Sequence, residues 1–581
     1  MDYRKEYDRW LASDVVDAQT KEELRAIAGD EKEIEGRFSK PLDFGTAGLR
    51  GIMCAGLFGM NVYTVRYATQ GLADLIKTST GGTGCSAEGK SGVTISHDSR
   101  NNSDLFAREA AGVLAANGIH VYFFESLRPT PELSFALRET GSIAGINVTA
   151  SHNPKEYNGY KVYWEDGAQL PPEHAAQVAD SMLKSDIFED VKTMDFAKAQ
   201  ADGLITILGE EMDEKYLTRV LEQSASASAV KEAADFKLIY TPLHGTGYKL
   251  VPEVLRRLGA KNIITVPEQM VIDGNFPTVA SPNPDNINTF GLAIELAKQH
   301  DANLIIGTDP DGDRCGAVVR GGKDGDEFIM LTGNQLGVLL LDYIITAKKE
   351  AGTLAANSAA VKSVVSTIMA NEICAKNDVA MVEVLTGFKY IGEKIKEWES
   401  NGEHTFLFGF EESNGYLSGT YARDKDAIVA SMLLCEMACY YACKGLTLYE
   451  VLQQMYEKYG FFKEEVISIQ FEGFDASDKM AAVMKQLRAQ PPAEIGFPIE
   501  KIRDYDSGLI TDVATGDTCP TGLPQANMLF YELAGGSKAI VRPSGTEPKV
   551  KLYLMAQGDS AAACEEALAA IKTALLALVQ G

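Results

Sequence analysis

The sequence predicts an α/β protein in which three similar α/β domains with mixed sheets, plus a C-terminal α+β domain, surround a central cleft. Three observations lead to this prediction. Short β-branched segments alternate with helical segments in three successive passes, each ending at a polar motif, and this alternation is typical of α/β units. The length of 581 residues exceeds what one hydrophobic core supports. After about Gly445 the order of elements changes, which indicates a separate last domain.

The first pass leads to Ser151 and predicts a domain over residues 1–205. Ser103 is the expected N-cap of the first helix in this pass, and Gly118 its expected stop. Ser151 follows the last strand of the pass, and open α/β sheets bind ligands at the carboxyl ends of their strands. The predicted elements are strands over 91–96, 119–124 and 143–148, and helices over 103–117 and from Pro131.

The second pass leads to Asp309 and predicts a domain over residues 206–325. Its expected elements are strands over 237–240, 262–266 and 303–307, and helices over 247–258 and 292–299. The third pass leads to Glu411 and predicts a domain over residues 326–450. Its expected elements are a helix over 336–346 and strands over 361–365 and 405–408.

The last predicted domain, over residues 451–581, has a different order of elements. We expect strands over 465–471 and 538–541, a helix over 477–487, and an Ala-rich final helix that runs to Leu578. The mixture of strands and helices without the earlier alternation indicates an α+β domain.

The composition restricts the partners and the compartment. A formal net charge of −26 argues against a nucleic-acid partner, because phosphate backbones require clustered Lys and Arg. The first residues lack an apolar stretch of the secretory kind, and no apolar run reaches membrane-spanning length without Gly or charge. We therefore expect a cytoplasmic protein with no membrane partner, either a monomer or a small homo-oligomer.

The hexapeptide 149–154 places the hydroxyl of Ser151 in a turn that His152, Asn153 and Pro154 favour. A hydroxyl of ordinary acidity is a poor nucleophile and needs a neighbouring base or a metal. From the hexapeptide alone, a Ser that caps the next short helix is about equally consistent with the pattern.

Asp309, Asp311 and Asp313 alternate along a loop, so their three carboxylates can turn toward one hard cation, magnesium or calcium. A calcium-binding EF-hand requires Gly at position six and Glu at position twelve, where this chain has Arg314 and Arg320. The EF-hand is therefore excluded. Arg314 either contacts a phosphate at this site or pairs with the acidic loop.

Three further groups suit a phosphorylated sugar. The segment 542–549 combines a guanidinium, two hydroxyls and a Gly, which suits a phosphate, although such a turn also occurs as an ordinary surface loop. Glu411 and Ser413 suit two adjacent sugar hydroxyls, unless Glu411 is merely solvated. Lys161 could act as a general acid or base if desolvation lowers its pKa, and is otherwise a surface Lys.

In this order, the motifs closely resemble those of the α-D-phosphohexomutase family, specifically its α-phosphoglucomutase branch. The resemblance extends from Asp43 to the terminal helix. It implies a phosphomutase that interconverts glucose 1-phosphate and glucose 6-phosphate through phosphorylated Ser151. A sugar bisphosphate forms, turns over within the cleft and returns its other phosphate to the serine. The substrate is then a small phosphosugar, the metal is Mg²⁺, and glucose 1,6-bisphosphate is the activator.

The resemblance also implies a role for each site residue. Ser151 with Asp309, Asp311 and Asp313 holds the magnesium ion. His152 and Arg314 assist the phosphoserine, Arg50 matches the family's amino-terminal active-site loop, and Lys161 matches its proton-transfer lysine. Sugar hydroxyls contact Glu411 and Ser413, and Lys389 lies in a loop linked to sugar choice. The residues that hold the non-reacting phosphate are Arg542, Ser544, Gly545 and Thr546.

Two features bear on the choice of sugar. Where phosphoglucosamine mutases and the dual mannose/glucose enzymes place Gly-His, this chain has Asn414-Gly415-Tyr416, so no histidine acid is available there. The segment 423–426 (Arg-Asp-Lys-Asp) resembles glucose and pentose mutases. Glucose is favoured, with phosphopentomutase and phosphomannomutase as alternatives in the same family. A catalytically silent phosphosugar-binding protein is the alternative from another class.

Overall fold

The computed structural model describes residues 2–46, 48–82, 84–321, 327–471, 476–544 and 549–580. Its α-helices, in chain order, are α1 (Tyr3–Ala12), α2 (Ala18–Ala26), α3 (Glu31–Phe38), α4 (Val62–Ser79), α5 (Ser103–Ala116), α6 (Thr130–Thr140), α7 (Pro172–Lys184), α8 (Phe196–Ala201), α9 (Glu210–Leu221), α10 (Ala227–Glu232), α11 (Gly247–Leu258), α12 (Gly291–His300), α13 (Gly333–Glu350), α14 (Met369–Lys376), α15 (Phe388–Asn401), α16 (Ala427–Cys443), α17 (Leu448–Tyr459), α18 (Ala476–Ala489) and α19 (Ala561–Gln580).

The strands form four sheets within the described ranges. They are β1 (Leu49–Ile52), β2 (Val93–His97), β3 (Val121–Phe124), β4 (Ala144–Val148), β5 (Tyr157–Trp164), β6 (Ile205–Leu208), β7 (Lys237–Thr241), β8 (Asn262–Thr265), β9 (Leu304–Thr308), β10 (Cys315–Arg320), β11 (Phe328–Leu331), β12 (Ser358–Ser363), β13 (Ala380–Val384), β14 (Thr405–Glu411), β15 (Gly415–Leu417), β16 (Phe461–Gln470), β17 (Ile499–Asp504), β18 (Leu509–Asp512), β19 (Thr518–Pro520), β20 (Leu529–Leu533), β21 (Lys538–Pro543) and β22 (Lys549–Gly558). Their orders are β1-β5-β4-β2-β3-β6, β11-β10-β9-β7-β8, β13-β12-β14-β15 and β16-β22-β21-β20-β17-β18-β19.

The chain forms two compact units. The first contains residues 1–336, 391–408 and 413–447, and the second contains residues 337–390, 409–412 and 448–581. Strand β14 therefore begins in the first unit and ends in the second. No single helix among the described residues is long and apolar enough to span a membrane; only the broken pair of α16 and α17 meets that test of length and composition.

The first sheet is mixed, and its topology places the Ser151 loop. Strands β2, β3, β4 and β6 are parallel, whereas β5 and β1 run antiparallel at one edge. Since β2 and β4 are parallel neighbours, with His97 opposite Val148, the loops that leave their carboxyl ends adjoin each other. In β5, Lys161 lies opposite Asn147 of β4.

The amino-terminal helices belong to the core of this first unit. The Trp10 side chain is fully buried, with its ring centroid 5.6 Å from that of Phe38 and 5.3 Å from that of Tyr63, both edge-on. Edge-to-face contacts of this kind stabilise a core beyond their buried area. Sequence reasoning assigned no elements before residue 91, so these helices were missed.

In the second sheet, the Asp motif forms the tip of a hairpin. Strands β9 and β10 are antiparallel, with Thr308 opposite Cys315, and the six residues 309–314 connect them. Gly312 has φ +64°, a left-handed conformation that favours glycine, and a Cβ atom there would lie 2.8 Å from Cβ of Pro129. This glycine lets the loop turn tightly between the three carboxylates.

In the second unit, the seven-stranded sheet is antiparallel throughout. Leu487 of α18 and Ile571 and Leu575 of α19 pack in its core. In a second cluster, Val364, Val365 and Leu385 from the segments around β12 and β13 pack with Phe530 and Ile540 of this sheet. The segment 542–549 begins in β21 and ends at the first residue of the neighbouring strand β22.

The sheets agree with the predicted α/β and α+β classes, and helix α11 has the predicted limits. Two local predictions were wrong, and one strand was missed. Ser103 is the first helical residue rather than the cap, because its hydroxyl donates to Asp98 Oδ1 at 2.7 Å and Asn102 takes the cap position. Strand β14 continues through Glu411 instead of ending at Phe408. Lys161 lies on a buried strand that the sequence reasoning did not assign.

Candidate active site

Ser151 lies three residues beyond the end of β4 and is buried. Its φ of +52° is uncommon for a residue with a side chain, and its backbone N–H donates to Thr149 Oγ1 at 2.8 Å. Its hydroxyl donates to Asp309 Oδ2 at 2.8 Å and lies 3.2 Å from His152 Nδ1. The structure therefore brings the serine and the Asp motif together. Ser151 caps no helix among the described residues, since the next helix along the chain begins at Pro172.

The carboxylates of Asp309, Asp311 and Asp313 form one buried cluster, in which one oxygen from each lies within 4.8 Å of the others. Backbone N–H groups of Asp313 and Arg314 donate to Asp309 Oδ1 at 3.1 Å and 3.0 Å. Thr130, at the start of α6, donates its hydroxyl to Asp311 Oδ2 at 2.8 Å. These bonds fix the orientation of the Asp309 and Asp311 carboxylates.

The cluster fits a hard divalent cation. Asp311 Oδ1 and Asp313 Oδ1 are buried, and neither accepts a hydrogen bond from any residue that the structure describes. Buried carboxylate oxygens without donors are costly unless a cation is nearby, and carboxylates are preferred ligands of magnesium. The three aspartates could therefore hold a metal ion, as the motif predicts.

Two lysines partly balance the negative charge of the cluster. Lys161 Nζ lies 2.6 Å from Asp311 Oδ2 and 3.0 Å from Asp313 Oδ2. Lys425 Nζ lies 2.9 Å from Asp313 Oδ2 and 3.2 Å from Asp424 Oδ1. Sequence reasoning noted residues 423–426 only as a sign of sugar preference. It missed Lys425 as a site residue, although a lysine between two aspartates was the available signal.

The pKa values of the three carboxylates shift in different directions in this arrangement. Burial, together with the charges of Asp311 and Asp313, raises the pKa of Asp309 well above its ordinary value. Burial acts in the same direction on Asp311 and Asp313, but the nearby lysine charges outweigh it and lower the pKa of both. Asp309 is thus the least acidic of the three, and it is the one that Ser151 contacts.

The pKa of Lys161 shifts in the direction opposite to the expected one. Burial alone would lower it, but the charges of Asp311 and Asp313 raise the pKa above its ordinary value. Lys161 is therefore an ammonium in this arrangement and not a lysine neutralised by desolvation. It is also buried, so the alternative of a surface lysine is wrong.

His152, Arg50 and Arg314 lie around the serine. Burial, and then the positive charges of Arg314 and Arg50, lower the pKa of His152 well below its ordinary value, so its imidazole is neutral near pH 7. Arg50 Nη1 donates to Asn153 Oδ1 at 3.3 Å. Arg314 Nε lies 3.9 Å from Asp313 Oδ1, so this guanidinium pairs with the acidic loop.

Of the predicted sugar-contact residues, Glu411 is the best defined. It is the last residue of β14, is buried, and accepts a hydrogen bond from Gly387 N–H at 2.7 Å. The alternative of a merely solvated Glu411 is therefore wrong. Lys389, in the first turn of α15, has its ammonium 4.9 Å from the centroid of the Tyr390 ring. Ser413 lies between β14 and β15 and is half-buried.

The predicted phosphate loop begins at the end of β21. Arg542 and Ser544 are half-buried, and the Ser544 N–H donates to the Lys549 carbonyl at 2.8 Å, which closes the loop at its base. Gly545 and Thr546 lie outside the described residues.

Protein-family models match four successive parts of the chain. They describe phosphoglucomutase/phosphomannomutase α/β/α domain I (residues 41–187), domain II (214–322), domain III (332–459) and the C-terminal domain (519–573). The chain belongs to the phosphoglucomutase/phosphomannomutase family. This result confirms the predicted family and the three α/β domains followed by a different last domain.

Curated relatives place the chain on the phosphoglucomutase branch. A phosphoglucomutase of Staphylococcus saprophyticus is 36% identical over 544 residues, which is 94% of each chain. One from Staphylococcus epidermidis is 35% identical over 95% of this chain and 97% of its own. The fold also matches that of parafusin (phosphoglucomutase) from Paramecium in its open form, with a TM-score of 0.67, 17% identity and coverage of 93% and 95%.

Proposed function

We propose that the protein is an intramolecular phosphotransferase that interconverts glucose 1-phosphate and glucose 6-phosphate. One observation carries the proposal: Ser151 Oγ lies 2.8 Å from Asp309 Oδ2, at the edge of a three-carboxylate cluster. This is the arrangement that a phosphoserine beside a divalent metal requires. Family membership and relatives named phosphoglucomutase support the choice of reaction and sugar.

In the proposed cycle, Ser151 carries the phosphoryl group. A hydroxyl oxygen of the bound sugar phosphate forms the new O–P bond while the P–Oγ bond of phosphoserine breaks. Ser151 Oγ receives a proton from Lys161, and the proton of the sugar hydroxyl replaces it on the lysine. The product is glucose 1,6-bisphosphate. Its other phosphoryl group then moves to Ser151 Oγ, which restores the phosphoserine and leaves the isomeric monophosphate. Added glucose 1,6-bisphosphate acts as an activator because it phosphorylates any Ser151 that has lost its phosphate.

The proposed metal is Mg²⁺, held by Asp309, Asp311 and Asp313 together with the phosphate on Ser151. When bound, it would withdraw negative charge from the transferring phosphoryl group. A structural neighbour with a TM-score of 0.50 and 15% identity, N-acetylphosphoglucosamine mutase from Aspergillus fumigatus, was solved in complex with GlcNAc-6P and magnesium.

The charged residues around Ser151 have distinct proposed roles. Arg50 and Arg314 offset the charge of the phosphoserine, and neutral His152 donates or accepts one hydrogen bond beside Ser151 Oγ. Because Lys161 is an ammonium here, its role is to give a proton to the oxygen that loses phosphorus. Ionic contacts with two aspartates hold its Nζ in place.

The remaining predicted residues bind the sugar hydroxyls and the non-reacting phosphate of the substrate in this proposal. Glu411 and Ser413 contact sugar hydroxyls, with Lys389 nearby in sequence to Gly387, which already orients the Glu411 carboxylate. Arg542 and Ser544 bind the non-reacting phosphate, because a guanidinium and a hydroxyl match its oxygens. Gly545 and Thr546 complete this loop in the proposal.

Two measurements on the purified protein test the proposal. After incubation with glucose 1,6-bisphosphate, the intact mass should rise by about 80 Da, and peptide mapping should place the added phosphate on Ser151. Conversion rates for the 1-phosphates of glucose, mannose and ribose should then rank glucose first. A faster reaction with mannose or ribose would assign the corresponding mutase. Tight binding of a sugar phosphate without turnover or phosphorylation would indicate a silent binding protein.

A further inference from the structure

The Ser151 turn depends on one side chain outside the predicted site. Four backbone carbonyls in the segment 151–157 accept hydrogen bonds from the guanidinium of Arg100. Its Nη2 lies 2.5 Å from the carbonyl oxygens of both Ser151 and Asn153, and its Nη1 lies 2.9 Å from that of Pro154 and 3.1 Å from that of Tyr157. The buried Ser151 carbonyl requires a partner inside the protein, and the guanidinium that supplies it also bonds the other three carbonyls.

The position of Arg100 follows from the sheet. It lies three residues beyond β2, just as Ser151 lies three residues beyond β4, and these two strands are parallel neighbours. Because the two strands are neighbours, the loop that carries Arg100 adjoins the Ser151 turn, and its guanidinium contacts that turn. It also lies over the Phe276 ring, 5.0 Å from the centroid.

A buried carboxylate holds Arg100 in turn. Asp98 Oδ2 lies 3.3 Å from Arg100 Nε, and both side chains are fully buried. Asp98 Oδ1 accepts hydrogen bonds from the Arg100 N–H at 2.9 Å and from the Ser103 hydroxyl at 2.7 Å. The guanidinium thus has a fixed position before any substrate binds.

We propose that Arg100 is a positioning residue for phosphoryl transfer: it holds the Ser151 turn so that Oγ faces the Asp cluster. Ser151 has a φ of +52°, which side chains disfavour, and Arg100 bonds the carbonyl of that same residue. Without these bonds the turn relaxes and Ser151 Oγ moves away from Asp309 Oδ2. The inference rests on the proposed role of Ser151 as the phosphoryl carrier.

The flat, forked guanidinium is essential to this role. It directs two N–H groups from each terminal nitrogen toward separate carbonyls, whereas a lysine ammonium is a single point donor on a flexible stem. Arg100→Lys keeps the charge beside Asp98 but cannot reach all four carbonyls. It should therefore lower the rate of transfer without changing substrate affinity, because no residue assigned to sugar or to the distal phosphate is altered.

The experiment compares the full-length wild type, Arg100→Lys and a matched control, Arg108→Lys. Arg108 lies on α5, and its exposed guanidinium pairs with Asp104. We expect kcat of Arg100→Lys to fall about a hundredfold at unchanged KM, as a shift of roughly 1 Å at a reacting atom can cause. Phosphorylation of Ser151 by glucose 1,6-bisphosphate, followed by intact mass, should slow in parallel. Arg108→Lys should match the wild type in both.

A second variant, Arg100→Ala, keeps the proposal testable if Arg100→Lys fails to fold. Arg100→Ala leaves room for free guanidinium, so low millimolar guanidinium should restore part of its phosphorylation rate, and methylammonium at the same concentration should not. Normal kcat and phosphorylation in Arg100→Lys would overturn the positioning role alone. If Arg100→Lys does not fold, equal responses of Arg100→Ala to both cations would overturn it. A wild type that is never phosphorylated on Ser151 would instead overturn the proposed function, and this inference with it.

Discussion

The Ser151 site and the Arg542 loop present charge in different ways. Around Ser151, the three aspartates are buried and two lysines already contact them. In the second unit, Arg542 and Ser544 are half-buried at the start of a loop between two strands. The first arrangement is fixed by the fold and suits a reaction whose charges appear at defined atoms. The second suits a group that arrives with the substrate.

This difference predicts different kinetic effects from the two regions. Interactions made only in the transition state affect kcat, whereas interactions made equally with bound substrate and transition state affect KM. Changes at the Ser151 site should therefore lower kcat. Changes in the Arg542 loop should mainly raise KM.

The largest effect should come from Ser151→Ala. It removes the oxygen that carries phosphorus, so we expect kcat to fall by at least about a thousandfold, with no mass increase after incubation with glucose 1,6-bisphosphate. Ser507→Ala is the matched control, because that hydroxyl is exposed and donates to the Asp504 carbonyl. Turnover near the wild-type rate in Ser151→Ala would show that another group carries the phosphate.

Removal of divalent metal should have the next largest effect. With the three aspartates free of a cation, we expect kcat to fall about a hundredfold or more after chelation, and to recover on addition of Mg²⁺. Binding of glucose 6-phosphate, measured by calorimetry on the chelated protein, should weaken far less, because Arg542 does not depend on the metal. Full activity at a metal content verified as negligible would exclude a catalytic role for the cluster.

Arg542→Ala should produce the converse pattern. We expect KM for glucose 1-phosphate to rise roughly tenfold to a hundredfold, with a smaller change in kcat, because the guanidinium contacts the distal phosphate in both ground and transition states. Arg25→Ala, at an exposed position on α2, is the control. An unchanged KM in Arg542→Ala would mean that this loop does not bind the phosphate.

The sequence predicted the main residues of the Ser151 site better than the residues that hold them in position. Ser151 and the Asp motif follow predicted strands, so their approach could be inferred from the rule that ligands bind at carboxyl ends. Lys161 was identified as a site residue, but the direction of its pKa shift was not predicted. That direction depends on carboxylates in a hairpin 150 residues away in the sequence. Spacing along a chain carries no information about such contacts.

The site residues that the sequence did not reveal were missed for one physical reason. Arg100, Thr130 and Lys425 act through hydrogen bonds or ion pairs that only the folded sheets bring about. Arg100 and Thr130 belong to none of the motifs identified in the sequence, and Lys425 was noted only as part of the segment 423–426. The amino-terminal helices were missed for a related reason: they pack by a few aromatic side chains such as Trp10, and their sequences are mostly charged.

Glu383→Gln tests whether a half-buried glutamate of the second unit, paired with a buried lysine, serves stability alone. Glu383 Oε1 lies 3.0 Å from Nζ of the fully buried Lys362, and the Lys362 charge lowers the pKa of Glu383 to about 2. A carboxylate whose pKa is lower in the folded state stabilises the protein fully above its unfolded pKa, near 4.3. That stabilisation is lost as the pH falls from there toward 2. We expect Glu383→Gln to lower the free energy of unfolding by about 3 kcal/mol at pH 7, with kcat and KM nearly unchanged.

Urea unfolding at pH 7 and at pH 3 checks this prediction, with Glu500→Gln as the exposed control. The difference in the free energy of unfolding between Glu383→Gln and the wild type should shrink at pH 3, because the wild-type carboxylate has by then lost about half of its stabilising effect. Trp10, Trp164 and Trp398 all lie in the first unit, so tryptophan fluorescence follows that unit, whereas circular dichroism follows both. We expect circular dichroism to detect the loss at lower urea than fluorescence does. A difference at pH 3 as large as that at pH 7, or a large fall in kcat, would assign Glu383 a role beyond this ion pair.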